Sequence, residues 1–159
     1  MEKHSTLPGN HAIASYARFG LMVVISFLAM YVLMYAMVNT LSNAVPNTNQ
    51  FYMAGLMTAP MVILEMLLMG AMYPNKKANA VVVALGLILL ALFWLLIRYQ
   101  VAISDRQFLK SMIPHHAGAI LMCDNALLSD SDIKTLCTGI VGSQRGEIEL
   151  MKRKLEQLK

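Results

Sequence analysis

The chain has 159 residues, of which 57% are hydrophobic, and a formal net charge of +4 at pH 7. This composition is too apolar for an ordinary soluble domain and leaves room for one compact soluble unit beside membrane spans. The positive excess is small, and Lys and Arg alternate with Asp and Glu in the C-terminal region, so nucleic acid is not an expected partner. The expected partner is instead the lipid bilayer.

Three stretches approach the roughly 20 apolar residues that a spanning helix needs. They cover residues 19–38, 51–73 and 78–97, and the only charged residue within them is Glu65. A carboxylate inside a span usually faces protein or water and marks a functional or pairing position. Glu65 is therefore an intramembrane functional candidate.

The loop charges predict an orientation for these spans. Lys3 and Arg18 flank the first span, Lys76 and Lys77 lie in the second connection, and the connection over residues 39–50 has no charge. By the positive-inside rule, the N-terminus and the two adjacent lysines lie in the cytoplasm. We therefore expect a multi-pass protein of a bacterial inner membrane, with its C-terminal domain periplasmic or extracellular.

The region after the third span is predicted to form an antiparallel helical hairpin. Residues 104–107 read S-D-R-Q, a capping-box pattern that starts a helix, and residues 129–132 read S-D-S-D, which supplies a turn and a second N-cap. The fold class is thus all-α, with three transmembrane helices followed by a two-helix hairpin. The predicted domains are a cytoplasmic segment (1–18), a three-helix transmembrane domain (19–98) and the hairpin (99–159).

Each predicted hairpin helix carries a stripe of apolar residues interrupted by polar ones. The first stripe contains Phe108, Met112, His115, Ala119, Met122 and Ala126, and the second contains Ile133, Cys137, Ile140, Gln144, Glu147 and Met151. Folding the chain back at residues 129–130 brings residues whose numbers sum to about 260 to the same height. Cys123 then lies level with Cys137, and His116 with Gln144, so the polar members meet in one layer flanked by methionines.

This polar layer has two interpretations, because buried polar groups are costly unless they are paired or bind a ligand. It forms either a structural hydrogen-bond network that sets register or a metal site, for which the thioethers favour Cu(I). Adjacent histidines on a helix point about 100 degrees apart. One of His115 and His116 is therefore expected to face the hairpin partner, and the other a different surface such as a second subunit.

Two motifs in the last third of the chain resemble a known bacterial family. Phe108 is followed by M-I-P-H-H-A-G-A-I-L-M at residues 112–122, and I-V-G-S-Q-R-G-E-I-E-L-M follows at residues 140–151. Both motifs, in this order, are similar to those of the family called domain of unknown function 305. The resemblance implies a ferritin-like helical bundle associated with copper or other heavy metals. It implicates seven metal-site residues, namely Met112, His115, His116, Met122, Gln144, Glu147 and Met151.

The chain also departs from that family. Many members carry two hairpins, whereas this chain has one, and a lone two-helix unit buries little apolar surface. We therefore predict that two copies pair into a four-helix bundle, as a homodimer or higher homo-oligomer. The E-x-x-H motif of ferritin-like di-iron proteins is absent, which argues against oxidase chemistry.

Cys123 and Cys137 are the only cysteines. On the side assigned to an oxidising compartment, they are expected to form a disulfide, a Cu(I) thiolate pair or two small buried thiols. The leading functional hypothesis is a non-enzymatic membrane protein that binds copper, with zinc or another transition metal as the alternative. It would act in heavy-metal resistance, sequestration or delivery to a metal-donor or metal-acceptor protein. The second hypothesis is a structural adaptor without metal, and a metal-dependent redox enzyme ranks third.

Overall fold

The structure is a computed structural model that describes residues 8–158, with side chains from residue 13 onward. This part of the chain is all-α and contains no strand, as the sequence predicts. Short 3₁₀ turns lie at Met34–Met37, Leu41–Asn43 and Gly70–Met72. The α-helices are α1 (Pro8–Leu33), α2 (Thr48–Leu68), α3 (Lys76–Arg98), α4 (Asp105–Asn125) and α5 (Ser131–Gln157).

Three helical segments are long and apolar enough to cross a membrane, which is consistent with a membrane protein. They are Ile13–Met37, Thr48–Leu68 and Lys76–Arg98. The first helix already begins at Pro8, so the later part of the predicted N-terminal segment (1–18) is helical. Residues 1–7 of that segment lie outside the described residues.

The connection between α2 and α3 is held by a group of polar side chains. Asn75 caps α3, because its Oδ1 accepts a hydrogen bond from the Ala78 backbone N–H at 3.1 Å. Asn79 is buried, donates from Nδ2 to the Tyr73 carbonyl at 3.1 Å, and accepts from the Tyr16 hydroxyl at 2.8 Å. These bonds satisfy polar groups at a helix end and fix a short connection between two spans.

The chain divides into two compact units. One contains residues up to Tyr31 together with Tyr52–Tyr99, and the other contains Val32–Phe51 together with Gln100–Lys159. The connection between the first two spans therefore belongs with the C-terminal hairpin, whereas the sequence analysis assigned residues 19–98 to one domain. The reason is that Val38 and Val45 pack against the hairpin core.

The hairpin core is built from apolar side chains of α4 and α5, most of them branched or small. Its buried members are Ile113, Ala117, Ile120, Ile148 and Met151. Gly118 of α4 approaches the upstream connection closely, since a Cβ placed there would lie 3.5 Å from the Met37 carbonyl oxygen. The hairpin is therefore covered by a third piece of chain, in addition to the contact between its own two helices.

The two predicted helix starts are present, with one difference. Ser104 caps α4 by accepting from the Gln107 backbone N–H at 3.5 Å, and Asp130 caps α5 by accepting from two backbone N–H groups at 2.9 and 3.0 Å. The Gln107 side chain accepts from the Thr48 backbone N–H at 3.1 Å. The structure thus has the serine cap, and it uses this glutamine to hold the start of α2.

The face of α4 that packs against the core differs from the predicted stripe. Phe108 and Met122 of that stripe are 50% and 56% exposed, and His115 is exposed as well. The buried face instead contains Ile113, His116, Ala117 and Ile120. Since α4 has apolar residues on two sides, the four-three spacing alone does not select the core-facing side.

Candidate functional site

His116 lies on the buried side of α4 and is only 7% exposed. Its Nδ1 is 2.9 Å from the carbonyl oxygen of Met112, one turn earlier in the same helix. Its Nε2 is 2.7 Å from Oε2 of Glu147 on α5. Both ring nitrogens therefore face oxygen acceptors, and the imidazolium form can donate to both of them at once.

Glu147 is held by two side chains, although its own side chain is 50% exposed. Its Oε1 accepts from the Ser143 hydroxyl at 2.6 Å, while Oε2 pairs with His116. The hydrogen bond from Ser143, followed by the one from His116, lowers the pKa of the Glu147 carboxyl below its ordinary value of 4.5. The carboxylate is thus the ionised partner of His116 at neutral pH.

Ser143 is a member of this site that the sequence analysis missed. Its hydroxyl reaches Glu147 because residues four apart lie on the same side of a helix. The S-x-x-x-E spacing in α5 is the signal that could have identified it. The resulting group of three side chains joins α4 to α5 through the hydrogen bond between His116 and Glu147.

His115 points away from this group. The centroids of the two imidazole rings are 6.3 Å apart, and the ring planes are inclined at 63 degrees. This separation agrees with the prediction that the two histidines face different surfaces. The structure decides which of the two faces the second helix, because His116 takes that position.

The remaining predicted metal-site residues lie at different depths. Met112 and Gln144 are half-buried, Met122 is exposed, and Met151 is buried in the hairpin core. Among the described side chains, from residue 13 to residue 158, there is no group of three or more His, Cys, Asp or Glu that could hold a metal ion.

Cys123 and Cys137 form a disulfide with a Cα–Cα distance of 5.3 Å. This is one of the three states that the sequence left open, and the pairing agrees with the antiparallel register predicted for the hairpin. Both cysteines line a pocket of about 410 Å³ together with Lys134 and Arg145. The disulfide links the helices close to the turn that joins them.

Glu65 lies three residues before the end of α2 and is half-buried. Its Oε1 accepts a hydrogen bond from the Tyr73 hydroxyl at 3.1 Å, and Tyr73 is itself buried. The Tyr73 ring also packs against Tyr16 and Phe19, with centroid distances of 5.3 and 5.8 Å. Glu65 thus belongs to the polar group at the α2–α3 connection.

A family model matches the C-terminal part of the chain, and a known protein is similar to most of the chain. The model of the family described as "Domain of unknown function (DUF305)" matches residues 95–155. An uncharacterized protein of Acanthamoeba polyphaga mimivirus is 34% identical over 142 residues, which cover 87% of this chain and 91% of that protein. The chain belongs to the DUF305 family.

The part matched by the DUF305 model begins near the end of α3 and includes nearly all of the hairpin. It contains His115, His116 and the Ser143–Glu147 pair. The viral relative, by contrast, covers most of the chain, so its similarity extends to the apolar helices. No solved structure matches the chain.

Proposed function

We propose that this DUF305 protein is a membrane-anchored metal-binding protein, most suited to copper, that acts without catalysis in heavy-metal resistance, sequestration or delivery to a partner protein. The observation that carries the proposal is the position of His115. It lies on the exposed side of α4, with the half-buried Met112 one turn earlier along the helix. Residues three apart are neighbours on a helix surface, so an imidazole and a thioether are available at one place.

The donor set explains the choice of metal. Thioether sulfur is a soft ligand that suits Cu(I), whereas imidazole also suits zinc and other transition metals. His116 is not part of this set, because its Nε2 is bonded to Glu147 and its Nδ1 faces the Met112 carbonyl. Its role is to hold the α4 backbone at Met112, next to the proposed ligands.

One chain supplies two ligands in this arrangement, and a second copy would supply two more. An apolar surface is available for such a homodimer. Large hydrophobic side chains remain uncovered on α4 and α5, at Phe108, Met122, Ile133, Leu136 and Leu150. A surface of this kind commonly marks a protein–protein contact. Two His115–Met112 pairs facing each other would give a four-ligand site for Cu(I), whereas zinc would use the two imidazoles together with other ligands.

The proposed location is a bacterial inner membrane, with the hairpin on the periplasmic or extracellular side. An odd number of spans places the connection after the first span on the same side as the hairpin. The bond from the Thr48 backbone N–H to Gln107 requires that arrangement. Lys76 and Lys77 lie at the opposite end of the spans, where the positive-inside rule favours the cytoplasm.

The experiment is metal binding by the purified full chain in mild detergent, measured for Cu(I) and Zn(II) by competition with chromogenic chelators. We expect His115→Ala to abolish tight binding with little effect on stability, because an exposed side chain usually contributes within about 0.5 kcal/mol. Met112→Leu should weaken Cu(I) binding more than Zn(II) binding. Met57→Leu is the matched control, since Met57 is an exposed methionine of α2 and lies outside the hairpin.

A mass measurement of the same samples tests the homodimer. Tight binding at one metal ion per two chains supports the shared site. If a folded wild-type protein binds neither metal, or if His115→Ala binds as tightly as wild type, the proposal is wrong.

A structural adaptor without metal is the second candidate, and the His116–Glu147–Ser143 group favours it. These side chains satisfy one another without a ligand, which is how a polar network fixes the register of two helices. If the protein is an adaptor without metal, Glu147→Gln should lower the stability of the hairpin. The wild type and every variant should then bind no metal. Metal stoichiometry therefore separates the two candidates.

A further inference from the structure

A groove with a volume of about 580 Å³ lies on the surface formed by the end of α2 and the first half of α3. Its wall on α3 consists of small and branched residues, including Ala80 and Ala84, and it extends to Leu87. Leu67 and Leu87 are 64% and 53% exposed, so the groove opens outward from the spans. In a bilayer, this opening faces hydrocarbon.

One end of the groove is polar and positively charged. Lys76 and Asn79 line that end, and Lys77 follows directly in the first turn of α3. The Lys76 ammonium donates to the Gly70 carbonyl at 3.0 Å, which holds it at the mouth of the groove. An ammonium has three protons to donate, so this bond leaves capacity for an anion. The acid in this region, Glu65, accepts from Tyr73 and does not line the groove.

The length of the groove matches one leaflet of a membrane. From Lys76 to Leu87 the helix rises about 16 Å, at 1.5 Å per residue. The hydrocarbon core of a bilayer is about 30 Å thick, so one leaflet contributes roughly 15 Å. A lipid whose headgroup sits at Lys76 and Lys77 would thus lay one acyl chain along the whole groove.

We propose that this groove is a binding site for one anionic phospholipid, with the phosphate at Lys76 and Lys77 and an acyl chain against Ala80, Ala84 and Leu87. An apolar groove inside a bilayer is filled either by a lipid chain or by another helix. The charge decides between them, because two adjacent lysines at the interface attract an anionic headgroup and repel the same two lysines of a second copy. The site is independent of the proposed metal site on the hairpin.

The test uses the full chain in mild detergent and counts retained lipids by native mass spectrometry. Phosphatidylglycerol is compared with phosphatidylcholine of identical acyl chains. The wild type should retain phosphatidylglycerol preferentially. In the Lys76→Gln, Lys77→Gln variant, this preference should fall about fivefold per lysine, which corresponds to about 1 kcal/mol for each basic residue near an anionic surface. A Lys76→Arg, Lys77→Arg variant should keep the preference, because it keeps the charge.

Matched controls separate this site from a general effect of charge or size. The Lys152→Gln, Lys154→Gln variant removes the same charge from α5 and should retain lipid like the wild type. Ala84→Phe fills the groove and should lower the retention of both lipids, whereas Ala91→Phe, at an exposed position of the same helix outside the groove, should not. Millimolar inorganic phosphate should fail to displace the lipid.

The proposal is overturned if the wild type retains both lipids equally or if the α5 charge variant loses as much as the α3 variant. Displacement by inorganic phosphate would show a plain anion site without a lipid. If Ala84→Phe leaves lipid retention unchanged and converts a dimer to a monomer, the groove holds a helix of a second copy instead. Circular dichroism of each variant establishes that the helices are retained, so that a loss of lipid can be assigned to the site.

Discussion

Removal of the Cys123–Cys137 disulfide should destabilise the hairpin by an amount that follows from its position in the chain. The two cysteines are 14 residues apart, so the bond closes a loop of about 15 residues in the unfolded chain. Chain-entropy arguments give such a loop about 3 kcal/mol. Because every 1.4 kcal/mol is a factor of ten, amide hydrogens that exchange only when the hairpin opens should exchange on the order of 100-fold faster in the Cys123→Ser, Cys137→Ser variant.

The assay is hydrogen exchange on the full chain in detergent, followed by mass spectrometry of peptides from α4 and α5. The single variant Cys123→Ser should behave like the double variant, since either change removes the same bond. Reduction of the wild type by a dithiol should give the same result. Two free thiols in non-reduced wild-type protein would show that the bond is not formed, and equal exchange in all forms would refute the reasoning about loop entropy.

Three further outcomes follow from contacts described above. The pKa of Glu147 is lowered in the folded state, so the ionised carboxylate contributes stability above about pH 4.5. This contribution is lost as the pH falls through the lowered pKa. The melting temperature of the wild type should therefore fall more steeply with acid than that of Glu147→Gln. Gly55→Ala should lower the free energy of unfolding by about 1–3 kcal/mol, because the added methyl group meets the Phe93 ring. Gly20→Ala is the control and should not destabilise the protein, since its methyl group meets nothing within 4 Å. Denaturant unfolding in detergent compares the two variants. The methyl group of Gly142→Ala also meets nothing within 4 Å, so the higher helix propensity of alanine should stabilise α5 by about 0.8–1 kcal/mol. If a second copy packs against Gly142, a mass measurement should instead show a weaker dimer.

The predictable parts of the fold depend on strong local signals. Long apolar runs identify the three spans, and the caps at Ser104 and Asp130 identify the starts of α4 and α5. The antiparallel register then places Cys123 opposite Cys137, where the disulfide lies. Each of these inferences uses length, capping or helical rise, which act within one element or one hairpin.

The orientation of α4 could not be derived in the same way. Phe108, Met112, His115 and Met122 form a regular stripe, yet the helix buries the neighbouring one with Ile113, Ala117 and Ile120. Both stripes have acceptable spacing, so the choice depends on what covers the helix. The sequence therefore left open which of His115 and His116 faces α5.

The uncharged connection between the first two spans was also unpredictable. It has no helical or strand periodicity, and its buried polar residues, Asn43, Asn47 and Gln50, are unusual in a core. Asn47 bonds to the Gln50 backbone N–H at 2.9 Å and to the Val45 carbonyl at 3.0 Å, so it is satisfied locally. Hydrogen bonds between neighbouring residues allow such a loop to be buried, but they produce no periodic pattern in the sequence from which the burial could be predicted.

The discontinuous unit formed by Val32–Phe51 and Gln100–Lys159 affects how the protein is made. The first part leaves the ribosome before the second, and 48 residues of the other unit are synthesised between them. At about 5–20 residues per second, the first part waits several seconds for the helices that it covers. A fragment beginning at residue 100 would lack Val38 and Val45 and would expose the apolar surface they contact. Genetic dissection of this protein should therefore use point substitutions in the full-length gene in preference to truncation after the third span.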